Sequence, residues 1–236
     1  MAESKGDAIA VLTSNSTQPL LDTLGARFER ETGIPVRVQC DSAKVMLARI
    51  KAGETGDAVV LGAAAVDELV ALGRVEAATR RLFARSRVGV AVRAGTAHPD
   101  ISSVEALRET LLAARAIAHT VHGASGMYVP TLLERLGIAD AMKGKIVTRP
   151  GGFIGVVVAA GEADIAVQQI SELLAVPGIE LVGPLPADVQ KVFETAAGMF
   201  AGSSRSDHTR ALLNYFSASD CAQAFVEKGL EQVVSS

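Results

Sequence analysis

Four short polar segments of this sequence are the parts of the chain best suited to chemistry. Residues 13–17, 41–42, 122–126 and 149–152 each lie between a short apolar run and an amphipathic helical pattern. Hydroxyl groups and free backbone N–H groups at the start of a helix favour an anion, because the helix dipole is positive there. If several of these segments converge, they form a site for a small oxyanion or carboxylate.

Hydroxyl and amide side chains in these segments could either cap a helix or contact a ligand. Ser14, Asn15 and Ser16 could cap the first helix, but they exceed what one cap needs, and we expect them to contact a ligand as well. Ser42 could likewise cap the second helix or contact a ligand, and Asp41 is the other candidate for the cap. Ser125 and Gly126 open a helix after a strand, where N–H groups would face an anion and glycine permits close backbone approach.

Basic and amide side chains extend the set of candidates. His122 follows a strand, and it could be a general base if the protein is an enzyme, whereas His119 lies within the strand and is expected to be structural. Arg149 could bind a carboxylate through both guanidinium nitrogens or be a solvated residue beside a turn. Gln168 and Gln169 end a later strand. Since neighbouring strand residues point in opposite directions, one of the two should face the ligand.

Composition excludes several classes of partner. The net charge is −3 with scattered basic residues, which argues against nucleic acid, and aromatic residues make up only 4% with no Trp. The mean hydropathy is +0.30, yet no apolar run approaches the ~20 residues of a membrane span. The four histidines and two cysteines show no metal-binding spacing, so no metal and no other cofactor is expected.

Alternating strand and helix patterns predict an α/β fold with a parallel or mixed sheet. Two such runs predict two lobes, residues 1–86 with 195–236 and residues 87–194, with a ligand cleft between them. Within this pattern, residues 62–65 are predicted as a loop, 128–136 as a helix, and 88–92 and 189–199 as strands. Residues 1–7 carry two acids and do not form a secretory signal, which leaves a cytoplasmic protein or a periplasmic one whose leader was removed.

The ordered set of motifs resembles the type II periplasmic solute-binding proteins, in the branch that contains molybdate-binding proteins. The resemblance implies ligand contacts at Ser14, Ser42, Ala63, the Ser125 region and the end of the strand that begins near Ile165. It also implies a small-molecule anion as ligand and the membrane subunit of an ABC transporter as a partner. The segments that carry it are residues 11–14, 28–33, 41–43, 47–50, 53–57, 85–92, 161–165 and 228–230.

The late strand departs from the pattern of molybdate binders. Those proteins typically place a Tyr after this strand, whereas this chain has Gln168, Gln169, Ile170 and Ser171. A carboxylate held by hydroxyl, amide and backbone donors therefore fits at least as well as molybdate. The leading expectation is binding of such an anion for ABC-type uptake or sensing. The alternative is an isomerase of a small unsaturated polycarboxylate, because the same branch is similar to bacterial aconitate isomerase.

Overall fold

Strands and helices alternate along most of the chain in the computed structural model, which describes residues 8–233. Within that range the strands are β1 (Ile9–Ser14), β2 (Val36–Asp41), β3 (Ala58–Gly62), β4 (Arg81–Arg93), β5 (Ile117–Thr120), β6 (Ile146–Arg149), β7 (Ile165–Gln169), β8 (Ile179–Pro184), β9 (Val192–Met199) and β10 (Leu230–Gln232). The α-helices are α1 (Gln18–Thr32), α2 (Ala43–Lys51), α3 (Ala63–Ala71), α4 (Val104–Ala113), α5 (Ala124–Arg135), α6 (Gly155–Ala159), α7 (Ile170–Leu173), α8 (Ser206–Phe216) and α9 (Ala222–Glu227). The predicted α/β fold is confirmed.

The chain divides into two compact units. The first unit runs up to Arg85 and resumes at Glu194, and the second unit is Ser86–Phe193. Both changes of unit fall inside long strands, β4 and β9. The boundaries expected from the sequence lie one residue further along the chain at each point. Residues 1–7, where the sequence was examined for a leader, lie outside the described residues.

In the first unit, β1 is the central strand of a mixed sheet. It pairs in parallel with β2, from Ile9 opposite Val36 to Ser14 opposite Asp41. It also pairs in parallel with β3, which pairs antiparallel with β9. Because β1, β2 and β3 run in one direction, the loops that follow them emerge at the same edge of the sheet.

Both faces of β1 are covered by apolar side chains. Ile9 and Val11 pack into one cluster with the leucines of α1, and Leu12 packs into the cluster on the other face. The helix forms because its leucines and Phe28 recur at helical spacing and Pro19 lies in the first turn, where no N–H is needed. It ends at Gly33, whose φ of 75° is left-handed and whose N–H donates to the carbonyl of Glu29.

In the second unit, β5 lies between β6 and β7 and is parallel to both. β7 pairs antiparallel with β4, with Val88 opposite Gln169, and β4 also pairs antiparallel with β8. Val167 contributes to one apolar cluster and Ala166 to the cluster on the other face. The loops after β5 and β7 therefore share one edge, as they do after β1 and β2 in the first unit.

Four element boundaries differ from the sequence prediction. The residues predicted as the loop 62–65 include the start of α3 at Ala63, and α5 begins at Ala124 rather than 128. Both starts consist of small residues, which show no apolar period although alanine favours a helix. β4 begins at Arg81, before the predicted 88, and β9 begins at Val192 because a 3-10 turn occupies Ala187–Val189.

A buried carboxylate fixes the sheet of the first unit next to β1. Asp57 accepts hydrogen bonds from the backbone N–H of Ala10 at 2.8 Å and from the hydroxyl of Ser203 at 2.7 Å. Its own N–H donates to the carbonyl of Ala10, and its carbonyl accepts from Phe200. This one residue joins β1, the start of β3 and the turn after β9.

We expect Asp57→Ala to lower the free energy of unfolding by about 1–3 kcal/mol, because a buried N–H and a hydroxyl lose their acceptor. Urea denaturation followed by circular dichroism measures the change. Asp140→Ala is the matched control, since Asp140 is 94% exposed in an ion pair with Lys143, and it should change stability by less than about 0.5 kcal/mol. Equal effects of the two substitutions would contradict this role of Asp57.

Candidate functional site

Polar loops after β1 and β2 meet in the first unit. Ser14 lies opposite Asp41 in the parallel register, and the N–H of Asn15 donates to the carbonyl of Asp41 at 3.2 Å. Ser14, Asn15, Ser16 and Ser42 are all buried. The structure therefore brings these four predicted residues to one edge of one sheet.

The threonines of the β1 loop are occupied by structural hydrogen bonds. Thr13 donates to the carbonyl of Val60 and lies 2.6 Å from the hydroxyl of Thr17, which also contacts the carbonyl of Ser14. The hydroxyls of Ser14 and Ser16 lie 3.2 Å apart. The N-cap of α1 is Thr17, with no side-chain cap hydrogen bond, so neither Ser14 nor Ser16 caps the helix. Their hydroxyls retain hydrogen-bonding capacity for a ligand.

Ser42 is the N-cap of α2 and makes no side-chain cap hydrogen bond. Asp41 accepts the N–H of Ser42 at 2.7 Å, and its other oxygen pairs with Arg49 at 3.2 Å. The same guanidinium also binds both carboxylate oxygens of Glu54 at 2.6 Å, so one positive charge is shared between two carboxylates here. Ala63 is the first residue of α3, where the backbone N–H has no acceptor inside the helix.

In the second unit, the loop between β5 and α5 contains two buried hydroxyls without partners among the described residues. They belong to Thr120, the last residue of β5, and Ser125, in the first turn of α5. Ser125 is fully buried. An unsatisfied buried hydroxyl is costly, so a polar ligand that bonded to either group would remove that cost.

Glycines let this loop fold tightly around Thr120. A Cβ at Gly126 would overlap the carbonyl and hydroxyl of Thr120, and a Cβ at Gly123 would overlap the hydroxyl. The N–H of Met127 donates to the carbonyl of Gly123, which closes the first turn of α5. The N–H groups of Ala124, Ser125 and Gly126 precede that bond and have no acceptor within the helix. Ser125 thus lies among free N–H groups at the positive end of a helix of 12 residues.

Two more buried hydroxyls without recorded partners lie near the end of β7. Ser171 follows Gln169, the last residue of β7, and Ser86 lies on β4 close to Val88, which pairs with Gln169. In the described part of the second unit, four buried hydroxyls therefore lack partners, those of Ser86, Thr120, Ser125 and Ser171. Such a concentration of unsatisfied donors is unusual for a packed core.

The two glutamines at the end of β7 have different roles. The side-chain oxygen of Gln168 accepts the N–H of Ile154, and its nitrogen donates to the carbonyl of Gly152, each at 2.8 Å. Gln168 therefore holds the loop before α6. The amide nitrogen of Gln169 lies 3.4 Å from a carboxylate oxygen of Glu172. Both glutamines are buried.

Glu172 is a residue that the sequence analysis missed. Its side chain is 2% exposed on α7, and burial raises its pKa to about 8, despite hydrogen bonds with Gln169 and Gln168 that lower it. At neutral pH the carboxyl is therefore protonated. A single acid between Ile170 and the leucines 173 and 174 was the available signal, but only the tertiary fold shows that it is buried.

The two histidines of the β5 region differ in environment. His119 is buried with Nδ1 2.9 Å from the carbonyl of Thr120, and burial lowers its pKa. It has the structural role that we expected. His122 is half-buried, its backbone N–H donates to the carbonyl of Pro150, and no partner of its ring is recorded within residues 8–233.

Arg149 is already engaged in an ion pair. Its guanidinium lies 2.6 Å from Glu162 and also donates to the carbonyl of Thr148. Its positive charge is thus largely offset. Arg87, which the sequence analysis did not select, is exposed on β4 beside Val88, and no partner of its side chain is recorded in the described residues. Its positive charge is therefore not offset by an acid in the described part of the chain.

Residues 8–233 contain neither a metal-binding cluster nor a membrane-spanning helix. No group of three or more His, Cys, Asp or Glu is placed to hold a metal ion. No helix in this range is long and apolar enough to cross a membrane.

Known proteins resemble the chain along almost its whole length. The family model described as bacterial extracellular solute-binding protein matches residues 9–231. An aconitate isomerase from a Pseudomonas species is 33% identical over 231 residues, which cover 95% of this chain and 88% of that protein.

Solved structures share the fold at lower identity. The periplasmic molybdate-binding protein of Azotobacter vinelandii has a TM-score of 0.80 at 17% identity, covering 97% of this chain and 100% of that one. The sulfate-binding protein of Mycobacterium tuberculosis has a TM-score of 0.75 at 16% identity, covering 96% of this chain and 87% of that one. The resemblance read from the sequence motifs is confirmed.

Glu172 makes stability depend on pH in a defined direction. Its pKa of about 8 in the folded protein exceeds the ordinary value of 4.5, so the folded state holds a proton that the unfolded state has lost between these pH values. In that window this group lowers the free energy of unfolding by about 1.4 kcal/mol per pH unit as the pH rises. We expect Glu172→Gln to remove this slope, so that the variant gains stability relative to the wild type from pH 5 to pH 8.

Urea denaturation at several pH values measures this difference. Glu134→Gln is the control, because Glu134 is exposed on α5, and its curve should run parallel to that of the wild type. A constant offset between Glu172→Gln and the wild type across the pH range would show that Glu172 is ionised in both states.

Proposed function

Because this chain belongs to the bacterial extracellular solute-binding proteins, we propose that it binds a small anion through hydroxyl and backbone N–H donors. The observation that carries the proposal is the buried hydroxyl of Ser125, which lies in the first turn of α5 and has no partner within residues 8–233. A group of this kind is stabilised by an acceptor that also receives the helix N–H groups.

The first unit has a separate set of donors of the same kind. Ser14, Ser16 and Ser42 offer hydroxyls at the carboxyl ends of β1 and β2, next to the first turn of α2. Thr13 and Thr17 keep the loop in place and are not part of the proposed ligand set. Neutral donors of this type can hold an anion without a full opposite charge, because each hydrogen bond to a charged acceptor is strong.

A small carboxylate is the proposed class of ligand. The relative that is 33% identical is named for aconitate, a carboxylate, whereas the molybdate- and sulfate-binding proteins are 17% and 16% identical and support the fold alone. Arg87, exposed and without a recorded partner in the described residues, adds a cation that a carboxylate would use. Arg149 is less suitable because Glu162 already binds it.

We place this activity outside the cytoplasm, as the description of the family indicates. The protein would then pass its ligand to the membrane subunit of an ABC transporter or report its presence to a receptor. One of the structural relatives is described as the substrate-binding domain of a molybdenum ABC transporter from Clostridium difficile.

A second candidate function is isomerisation of an unsaturated polycarboxylate. Two observations favour it: the identity with an aconitate isomerase and the buried, protonated carboxyl of Glu172 beside Gln169. The reaction moves one proton: a base takes it from the CH₂ carbon, the double bond shifts, and an acid returns a proton to the former alkene carbon. A carboxyl whose pKa is close to the working pH is suited to both steps. Glu172 and His122 are the proposed proton-transfer groups.

The binding proposal predicts that Ser125→Ala weakens the binding of the anion by about 5- to 30-fold, since it removes one hydrogen bond to a charged group. Ser14→Ala tests the donors of the first unit in the same way. Isothermal titration calorimetry with trans-aconitate, citrate, molybdate and sulfate measures the affinities. Ser204→Ala, at an exposed position, is the control and should bind as the wild type does. Binding of none of these anions, or unchanged affinity in both variants, would refute the proposed donors.

The isomerase proposal predicts interconversion of cis- and trans-aconitate, followed by ultraviolet absorbance. If Glu172 transfers the proton, Glu172→Gln should lower turnover by about 10²-fold or more while binding is retained, and Glu134→Gln should have no effect. If His122 is the base, His122→Ala should produce that loss instead. If the wild type binds an anion tightly but converts none of it, the isomerase proposal is wrong and binding is the remaining function.

A further inference from the structure

The second unit contains a cavity at the edge of its sheet opposite to the polar loops. It lies where β7 begins at Ile165, where β4 ends at Arg93, and where the chain approaches β5 through Ala114 and Arg115. Its volume is about 470 Å³, within the range of small-ligand pockets. The five residues of β7 separate it from Gln169 by about 15 Å. This cavity, named here the β7-start pocket, is therefore distinct from the proposed anion site.

The wall of the β7-start pocket is mainly apolar. It receives small and branched side chains from the end of β4, the loop that follows it, α4 and the start of β7. These are Val92, Ala97, Pro99, Ala113, Ala114 and Ile165.

Two arginines and one acid supply the charge of the pocket. The backbone N–H of Arg115 donates to Asp164 at 2.7 Å, and its guanidinium binds the other carboxylate oxygen at 3.1 Å and the carbonyl of Gly161 at 2.9 Å. Asp164 is thereby matched to Arg115. The guanidinium of Arg93 has no recorded hydrogen bond or ion pair within the described residues, so one positive charge is left over.

A glycine leaves room for the guanidinium of Arg93 at the wall of the pocket. Gly161 has a φ of +77°, and a Cβ built on it would overlap that guanidinium. The guanidinium therefore packs directly on the backbone of Gly161. An arginine in this position can bind a planar carboxylate through two nitrogens.

We propose that the β7-start pocket binds a small monocarboxylate with an apolar body. The apolar wall matches a hydrocarbon chain or ring, and the uncompensated guanidinium matches one carboxylate. Because only one guanidinium is uncompensated, a second negative charge on the ligand would face the apolar wall, which disfavours the polycarboxylates considered for the anion site. This inference does not depend on the proposed function.

Octanoate is the test ligand, and octanamide, which has the same shape without the charge, is its partner. Calorimetric titration should show binding of octanoate and at least 5-fold weaker binding of octanamide. Arg93→Gln should weaken the binding of octanoate by about 2- to 5-fold, as expected for loss of an exposed charged contact. Ala113→Glu, which places a second acid in the wall, should weaken the binding of octanoate more than Arg93→Gln does.

Two control variants make the result specific. Arg108→Gln removes an exposed arginine of α4 outside the pocket, and Ser125→Ala alters the anion site, so both should bind octanoate as the wild type does. The proposal is wrong if octanoate does not bind, if octanamide binds equally well, or if Arg93→Gln and Arg108→Gln behave alike. It is also wrong if Ser125→Ala abolishes the binding of octanoate, since the ligand would then occupy the other site.

Discussion

Parallel pairing of the central strand in each unit is the constraint on which the polar loops depend. β1 runs alongside β2 and β3, and β5 runs alongside β6 and β7, so the chain must leave each pair at the same edge. Because the strands are covered by apolar side chains on both faces, their ends are the places where polar groups gather. The direction of the strands thus determines at which edge of the sheet the polar loops lie, whatever their individual side chains are.

Around that edge, the structure distinguishes groups that hold the loops from groups left available. Thr13, Thr17 and Gln168 form hydrogen bonds with nearby backbone and side chains. Ser125 and Thr120 are buried, and no partner of either hydroxyl is recorded in the described part of the chain. The residues that hold the loops are thus different from those whose hydroxyls stay available, which is the arrangement expected of a rigid binding site.

The sequence was informative where local pattern determines the structure. Buried strands such as β1 and β5 are short apolar runs in the sequence, and Gly33 marks the end of α1. The order of the strands and helices could therefore be predicted. The exact start of α5 could not, because Ala124, Ser125 and Gly126 show no apolar period and the loop depends on the close approach of two glycines to Thr120. The burial of Glu172 and the pairing of Arg149 with Glu162 arise from tertiary packing, which no local pattern encodes. Contact of the selected serines with a ligand stays a prediction.

The close contact between Gly126 and Thr120 has a consequence for how such a protein changes during evolution. Position 126 tolerates no side chain while β5 and α5 keep their places, so the backbone of this loop is effectively frozen. The hydroxyl oxygens at positions 120 and 125 bond to nothing else in the described chain, so neither holds the loop in place by a hydrogen bond. Side chains of similar size at these two buried positions can therefore change the polarity of the loop during evolution while its backbone stays as it is.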